Sequence, residues 1–212
     1  MRVVVVAGGD RDLDAVPAEW GDALVIGADS GVDRAHELGL RVDVAIGDFD
    51  SISAEGLQRA EAAGARIERH PSEKDQTDLE LALGEARRLG ATDLLVLGAG
   101  GGRLDHLMGN LLLLASPAYA PCRIRARAGA GRAQVVRGGE PSTTLDAQVG
   151  ELVTLLAVGG TASGITTRGL LYALNGESLA PGTSRGVSNV VKSTPATVEL
   201  EDGTLLAVFP GR

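Results

Sequence analysis

Val42-Asp43-Val44-Ala45-Ile46-Gly47-Asp48-Phe49-Asp50-Ser51 is the stretch on which the reading of this chain turns. The apolar run 42–46 reads as a strand, and it ends in a glycine followed by two carboxylates two positions apart. In extended backbone, residues i and i+2 point to the same side. Asp48 and Asp50 therefore project together past a strand end. Adjacent carboxylates repel unless a cation stands between them. Mg²⁺ suits the arrangement, because it takes a few carboxylates and completes its shell with water and substrate phosphates. The competing reading is a solvated turn ahead of a helix cap, a common place for Asp and Ser.

Working outward, apolar runs at 3–7, 23–27 and 94–97 read as further buried strands. Helical patterns lie between and after them at 30–38, 53–63, 78–89 and 104–115, with Ser53 as an N-cap. The 78–89 segment carries Leu79, Ala82, Leu83, Ala86 and Leu89 at helical spacing. Strand–helix alternation predicts a mostly parallel sheet with helices on its faces, and ligands outside the carboxyl ends of the strands. After Pro117 the pattern changes to short alternating runs separated by Gly, Asn, Pro and Asp. Glu201-Asp202-Gly203 reads there as a tight hairpin turn. The expected fold is α/β: an N-terminal mostly parallel sheet with flanking helices, then a C-terminal antiparallel β-sandwich or barrel. The change falls between residues 127 and 143, giving domains 1–130 and 131–212.

Composition narrows the function. Of 212 residues 44% are hydrophobic but only 2% aromatic, so the core is built from Val, Leu, Ile and Ala. A net charge of −8 argues against a nucleic-acid surface, which needs clustered Lys and Arg. It leaves room for a nucleotide site in which a metal and a few arginines act locally. The single Cys122 excludes an internal disulfide and a Cys-rich zinc site, and reads as a small buried apolar residue. No apolar run reaches the roughly 18 residues of a membrane span. Met1-Arg2 leads straight into the first strand with no leader pattern, so a cytoplasmic location is expected.

Polar clusters recur at the predicted strand ends: Gly8-Gly9-Asp10, Ala28-Asp29-Ser30-Gly31, Asp48-Phe49-Asp50-Ser51 and Gly98-Ala99-Gly100-Gly101-Gly102-Arg103. Glycine lets backbone approach a ligand closely, and helix N-termini favour anions. The last cluster is neither a Walker A loop nor a dinucleotide fingerprint. Arg103 beside it suits a bidentate phosphate contact. Asp105 and His106 fit a base or ribose, or a helix cap. Asp75 reads as the N-cap of the 78–89 helix. Asp78 lies off its apolar stripe, free to join Asp48 and Asp50 if the helix start meets them.

Together these stretches resemble the thiamine pyrophosphokinase family. The match runs through Ala28-Asp29-Ser30-Gly31, Gly47-Asp48-Phe49-Asp50-Ser51, Asp75-Gln76-Thr77-Asp78 and Gly102-Arg103-Leu104-Asp105-His106. It continues through residues 164–174 and Ser184-Arg185-Gly186-Val187-Ser188-Asn189. The resemblance implies transfer of the diphosphoryl group of ATP to the hydroxyl of thiamine, giving thiamine diphosphate and AMP. It implies Mg²⁺ held by Asp48, Asp50 and Asp78, the catalytic aspartates. It places Asp29, Arg103, Asp105 and His106 on ATP, and Ser188 on the thiamine pyrimidine. It also implies a homodimer with thiamine sites between protomers. Tyr172 stands where members commonly carry Trp. An aromatic face suits a cationic thiazolium and a flat pyrimidine, and Ser188-Asn189 offers hydroxyl and amide groups to the pyrimidine nitrogens. Two alternatives stay open: a pyrophosphokinase for another hydroxymethyl heterocycle such as a pterin, and a non-catalytic nucleotide or thiamine sensor. The sensor would have no need of the metal carboxylates.

Overall fold

Val3, Val4, Val5 and Val6 are each fully shielded from solvent, as a strand is when the sheet is covered on both faces. The computed structural model describes residues 1–9 and 16–211; Asp10, read as part of a strand-end cluster, lies outside them. The chain divides into two compact units, Met1–Leu113 with Pro121–Gly129, and Leu114–Ala120 with Ala130–Arg212.

In chain order the first unit carries β1 (Arg2–Val6), β2 (Leu24–Ala28), α1 (Gly31–Glu37), β3 (Val44–Gly47), α2 (Ala54–Ala62), β4 (Arg66–Arg69), α3 (Asp78–Arg88), β5 (Asp93–Leu97), α4 (Leu104–Leu114, whose last residue falls in the second unit) and β6 (Arg123–Ala128). The strands lie in the order β6-β5-β1-β2-β3-β4, and every pairing among them is parallel. The chain runs outward from β1 to β4 on one side and from β5 to β6 on the other. The order therefore reverses between β1 and β5. In open α/β sheets that reversal opens a crevice beyond the carboxyl ends of the strands.

Alternate residues of the central strands face opposite layers. Val4, Val6, Leu95 and Leu97 join Trp20, Val32, Ala35 and Ala60 in one cluster. Helix α3 packs against β1, β2 and β3, with Leu79, Ala82, Leu83 and Ala86 buried. Cys122 is buried as expected, its Sγ 3.1 Å from the Ala91 carbonyl.

Two local expectations hold or fail for visible reasons. Ser53 caps α2, its Oγ accepting from the Gly56 N–H at 2.9 Å. Helix α3 is capped by Thr77, whose Oγ1 accepts from the Glu80 N–H at 3.2 Å, not by Asp75. The helix starts two residues later than an Asp75 cap requires, and a threonine hydroxyl serves as well there. Strand β4 has no apolar run and escapes sequence reading. It is a charged edge strand, tied to α3 by the buried Glu85, which pairs with Arg66 and with Arg88. The Arg88 contact first, then Arg66, holds the Glu85 carboxyl below its ordinary range.

The second unit contains β7 (Gly131–Arg137), β8 (Thr143–Thr144), β9 (Leu152–Ala157), β10 (Ala162–Arg168), β11 (Asn175–Leu179), β12 (Asn189–Val190), β13 (Thr197–Glu199) and β14 (Thr204–Phe209). They form two antiparallel sheets, β12-β9-β14-β7 and β11-β10-β13-β8. Val153, Leu155, Leu205 and Phe209 from one sheet meet Ile165, Leu179 and Val198 from the other in a single apolar cluster. This is the expected β-sandwich. Within this unit the Arg137 guanidinium donates to the carbonyls of Leu114, Ala115 and Ser116 at 3.1–3.3 Å. A cation thereby satisfies the open carbonyls at a helix C-terminus.

Glu201–Asp202–Gly203 is not a hairpin. Strand β13 pairs with β10 and β8, whereas β14 pairs with β7 and β9. The turn carries the chain from one sheet to the other, held by the Ser163 N–H donating to the Asp202 carbonyl at 2.9 Å. Alternation along a strand shows a buried face but not which sheet owns it.

Gly31 begins α1 against the backbone of β1, where an added Cβ would lie 1.9 Å from the Val6 carbonyl oxygen. Gly84, inside α3, has nothing within 4 Å of that position. Gly31→Ala is expected to lower stability by about 2 kcal/mol or more. Gly84→Ala is expected to raise it by about 0.5–1 kcal/mol. Urea unfolding midpoints at constant m-value read both effects.

Candidate active site

Beyond the carboxyl ends of β1 and β5 lies a cavity of about 490 Å³, whose lining includes Gly8 and Gly9 after β1 and Gly98, Gly100 and Gly101 after β5. Glycine is required there by space: a Cβ on Gly9 would come within 1.8 Å of the Gly100 carbonyl oxygen and 2.3 Å of that of Gly98. Gly98 has φ +70. Side chains would close this floor, and without them backbone faces the cavity directly.

The walls are acidic. Asp29 follows β2 with φ +47, a left-handed conformation. Its N–H donates to the Ile46 carbonyl at 2.9 Å and its carbonyl accepts from the Val32 N–H at 3.0 Å. The residue is 8% exposed. Burial pushes its carboxyl above the ordinary value; Asp78 and Asp50 add to this, and the N–H groups of Ser30 and Ser51 act against it. Strand β3 ends at Gly47 with φ +146, and Phe49 beyond it has φ +61, with the Arg69 guanidinium 5.0 Å from the Phe49 ring centre. This strained turn directs both carboxylates. One oxygen each from Asp29, Asp48 and Asp50 lies within 4.8 Å of the others. Asp50 Oδ1 accepts from Ser51 Oγ at 2.7 Å.

Asp78 arrives from the start of α3. Its Oδ1 would stand 3.0 Å from a Cβ on Gly47, so the helix start does meet the end of β3. Lys74 links the two sides: Nζ donates to Asp48 Oδ2 at 3.0 Å and lies 3.1 Å from Asp78 Oδ1. That lysine, first through its hydrogen bond, holds the Asp48 carboxyl below its ordinary value. The second contact is an ion pair without well-aimed hydrogen-bond geometry. Asp48 Oδ1 is buried with no hydrogen-bond donor, and Asp78 Oδ1 is buried with only the Lys74 ammonium beside it. Buried oxygens are seldom left so. Carboxylate oxygens turned inward without donors fit a hard divalent cation. The expected trio was Asp48, Asp50 and Asp78. The geometry draws Asp29 in with Asp48 and Asp50, and joins Asp78 through Lys74.

Arg103 and His106 line the cavity with Asn110. Arg103 is two-thirds exposed and forms a forked pair with Asp105, Nη2 to Oδ2 at 2.6 Å and Nε to Oδ1 at 3.3 Å. That pairing pulls the Asp105 carboxyl down to about 2. Asn110, absent from the sequence reading, donates to the Ala99 carbonyl at 2.8 Å and fixes the loop after β5. Its signal was its place seven residues after Arg103, on the same helix face.

In the second unit Tyr172 is 57% exposed. Ser188 has φ +57, and its N–H donates to Thr154 Oγ1 at 3.1 Å. Asn189, expected beside a ligand, is buried, and its amide is occupied by backbone partners. Its Oδ1 accepts from the N–H groups of Tyr172 at 3.0 Å and Val190 at 2.9 Å, and its Nδ2 donates to the Tyr172 carbonyl at 2.7 Å. The amide is engaged with the backbone of Tyr172 much as a neighbouring strand would be.

The first unit is thus a parallel α/β sheet with a glycine-floored, carboxylate-walled cavity at its reversal point, the architecture of a ligand-binding α/β domain, and the second is an antiparallel β-sandwich. Residues 17–126 match the thiamin pyrophosphokinase catalytic domain, and residues 142–205 the thiamin pyrophosphokinase vitamin B1 binding domain. The chain belongs to the thiamin pyrophosphokinase family of enzymes. It is 29% identical over 206 residues to the thiamine pyrophosphokinase of Bacillus subtilis, covering 96% of both chains. The crystal structure of a Bacillus subtilis thiamine pyrophosphokinase superposes with a TM-score of 0.84 at 28% identity over 100% of each chain. That of the Geobacillus thermodenitrificans thiamin pyrophosphokinase gives 0.80 at 30% identity, over 100% of this chain and 98% of that one. No helix among the described residues is long and apolar enough to cross a membrane.

The raised carboxyl of Asp29 makes stability depend on pH. A folded pKa above the unfolded value of 3.8 means that folding favours the protonated form. Stability is therefore lost as pH rises from the unfolded toward the folded value, and the full cost stands at pH 7. Asn tolerates the left-handed backbone as Asp does. Asp29→Asn is expected to raise the metal-free melting temperature at pH 7 by about 2 °C. The gain should vanish at pH 3. Thermal melts at both pH values in a chelator check it.

Proposed function

We propose that this chain transfers the diphosphoryl group of ATP to the hydroxyl of thiamine, releasing thiamine diphosphate and AMP. The observation that carries the reading is the carboxylate cluster at the reversal point, with the buried Asp48 Oδ1 lacking a donor, beside a cavity floored by glycine backbone. Asp48 and Asp50, with Asp78 and Asp29 adjoining, would hold Mg²⁺. When bound, that ion would offset the charge of the polyphosphate in an otherwise acidic cavity. The bare backbone of Gly8, Gly9 and Gly98–Gly101 lets phosphates approach closely. Arg103 supplies a forked cation at the rim, and His106 faces the same space. Positioning and electrostatics are the main demands of such a transfer.

The β-sandwich is assigned the acceptor. Tyr172 offers an exposed aromatic face to a cationic heterocycle. Ser188 offers a hydroxyl, and Asn189 fixes the backbone of Tyr172 and so the direction of its ring. The working form is proposed to be a homodimer that completes the thiamine site. Leu104, Met108 and Leu112 make an exposed apolar stripe at i, i+4 and i+8 on α4, and Leu152 and Leu156 are exposed on β9. Apolar stripes of this kind are usual where a second chain docks.

Incubation with thiamine, ATP and Mg²⁺ is expected to yield AMP and thiamine diphosphate in equal amounts. ADP with thiamine monophosphate would make the protein an ordinary kinase instead. Asp48→Asn, Asp50→Asn and Asp78→Asn should each slow the reaction by about 10²-fold or more in folded protein. Wild-type rates in two of the three would remove the metal assignment.

Tyr172→Ala and Asn189→Ala should both raise the Michaelis constant for thiamine and leave that for ATP within about twofold. Equal rises for both substrates would contradict an acceptor role for the tyrosine.

A further inference from the structure

Lys74 stands between two carboxylates of the acidic cluster. Its side chain is 14% exposed, against 11% for Asp48 and 27% for Asp78. Among the described residues it is the only cation ion-paired to either carboxylate. It lies between β4 and α3, one turn ahead of Asp78, and reaches across to the end of β3. A lysine ammonium is costly to bury unless paired, and here two carboxylates from different elements pair with it. Asp29, Asp48, Asp50 and Asp78 would otherwise bring four negative charges together with no cation among them.

We propose that Lys74 is a positioning residue that substitutes for the divalent cation while the site is metal-free, and that it competes with that cation for Asp48 and Asp78. This rests on the reading that the cluster binds a divalent cation. The ammonium uses Asp48 Oδ2 and leaves Oδ1 turned inward without a donor. An entering ion finds that oxygen available, but it then faces a positive charge already seated on the same carboxylate. Like charges a few ångströms apart oppose each other even when partly hydrated. The lysine thus keeps the acidic site assembled and weakens its hold on bare metal. The cation is best loaded together with anionic phosphate, which offsets both positive charges.

The test uses Mn²⁺ alone, titrated calorimetrically and by its electron paramagnetic resonance signal, with no substrate present. Lys74→Met should bind Mn²⁺ about tenfold more tightly than wild type, and Lys74→Arg should match wild type. In chelator, Lys74→Met should melt several degrees below wild type, and saturating Mn²⁺ should raise its melting temperature by more than it raises that of wild type. Lys74→Gln, neutral and polar, serves as the second variant should the methionine protein fold poorly. Equal or weaker Mn²⁺ binding in the neutral variants, with normal binding in wild type, overturns the proposal and leaves the metal site intact. Absence of Mn²⁺ binding in wild type and in every variant overturns the metal site itself, and this inference with it.

Discussion

Mutual repulsion among Asp29, Asp48, Asp50 and Asp78 is the constraint around which the first unit is arranged. Three independent segments deliver these carboxylates to one place: the ends of β2 and β3, and the start of α3. Each delivery has a local cost. Asp29 and Phe49 adopt left-handed backbone, which for such residues costs roughly 1–3 kcal/mol. The surroundings enforce it, through the Asp29 N–H on the Ile46 carbonyl and the Arg69 guanidinium against Phe49. Asp29 is buried and held above its ordinary range. A protein selected for stability alone would not gather these features at a single sheet edge. They make sense together when positive charge arrives with a ligand.

The rest of the unit answers to that edge. The fully buried β1 fixes the centre of the sheet, and the reversal of strand order beside it opens the cavity. Close crossing of the loops after β1 and β5 admits only glycine, which leaves peptide groups facing the space where phosphates would lie. Helix α3 contributes twice, burying an apolar stripe on β1–β3 while its first residue, Asp78, reaches the end of β3. The β-sandwich follows a different logic. Its interior is apolar, and its candidate function is confined to surface segments: an exposed Tyr172 whose backbone is pinned by a buried amide, and the strained Ser188.

Much of this architecture was legible in the residues. Buried parallel strands announce themselves as β-branched runs, α3 as a helical stripe, and the site as glycine and aspartate clusters at successive strand ends. The Gly-Asp-Phe-Asp-Ser stretch with its downstream partners was enough to indicate the family. What escaped reading did so for physical reasons. Strand β4 offers a single apolar residue, Ile67, to the core, and its other three residues are charged, so no apolar run marks it. The Glu201–Gly203 turn changes sheets, a property of long-range pairing that alternation cannot encode. Lys74 carried no signal of its own in the sequence, because its partner Asp48 is 26 residues away. The backbone partners of the Asn189 amide were not legible, because a side chain that mimics a strand leaves no pattern in sequence. That Asp29 also comes within reach of Asp48 and Asp50 was hidden, because nothing local shows that the ends of β2 and β3 converge.

The central claim is that these carboxylates form one divalent-cation site at the edge of a phosphate cavity. Crystals of the protein grown with Mn²⁺ and a non-hydrolysable ATP analogue test it most directly, through the anomalous scattering of the metal. The account predicts a manganese peak in coordinating contact with both Asp48 and Asp50, with phosphate oxygens between it and the glycine loops at Gly8–Gly9 and Gly98–Gly101. A nucleotide bound elsewhere, or metal peaks touching none of the four aspartates, would contradict it.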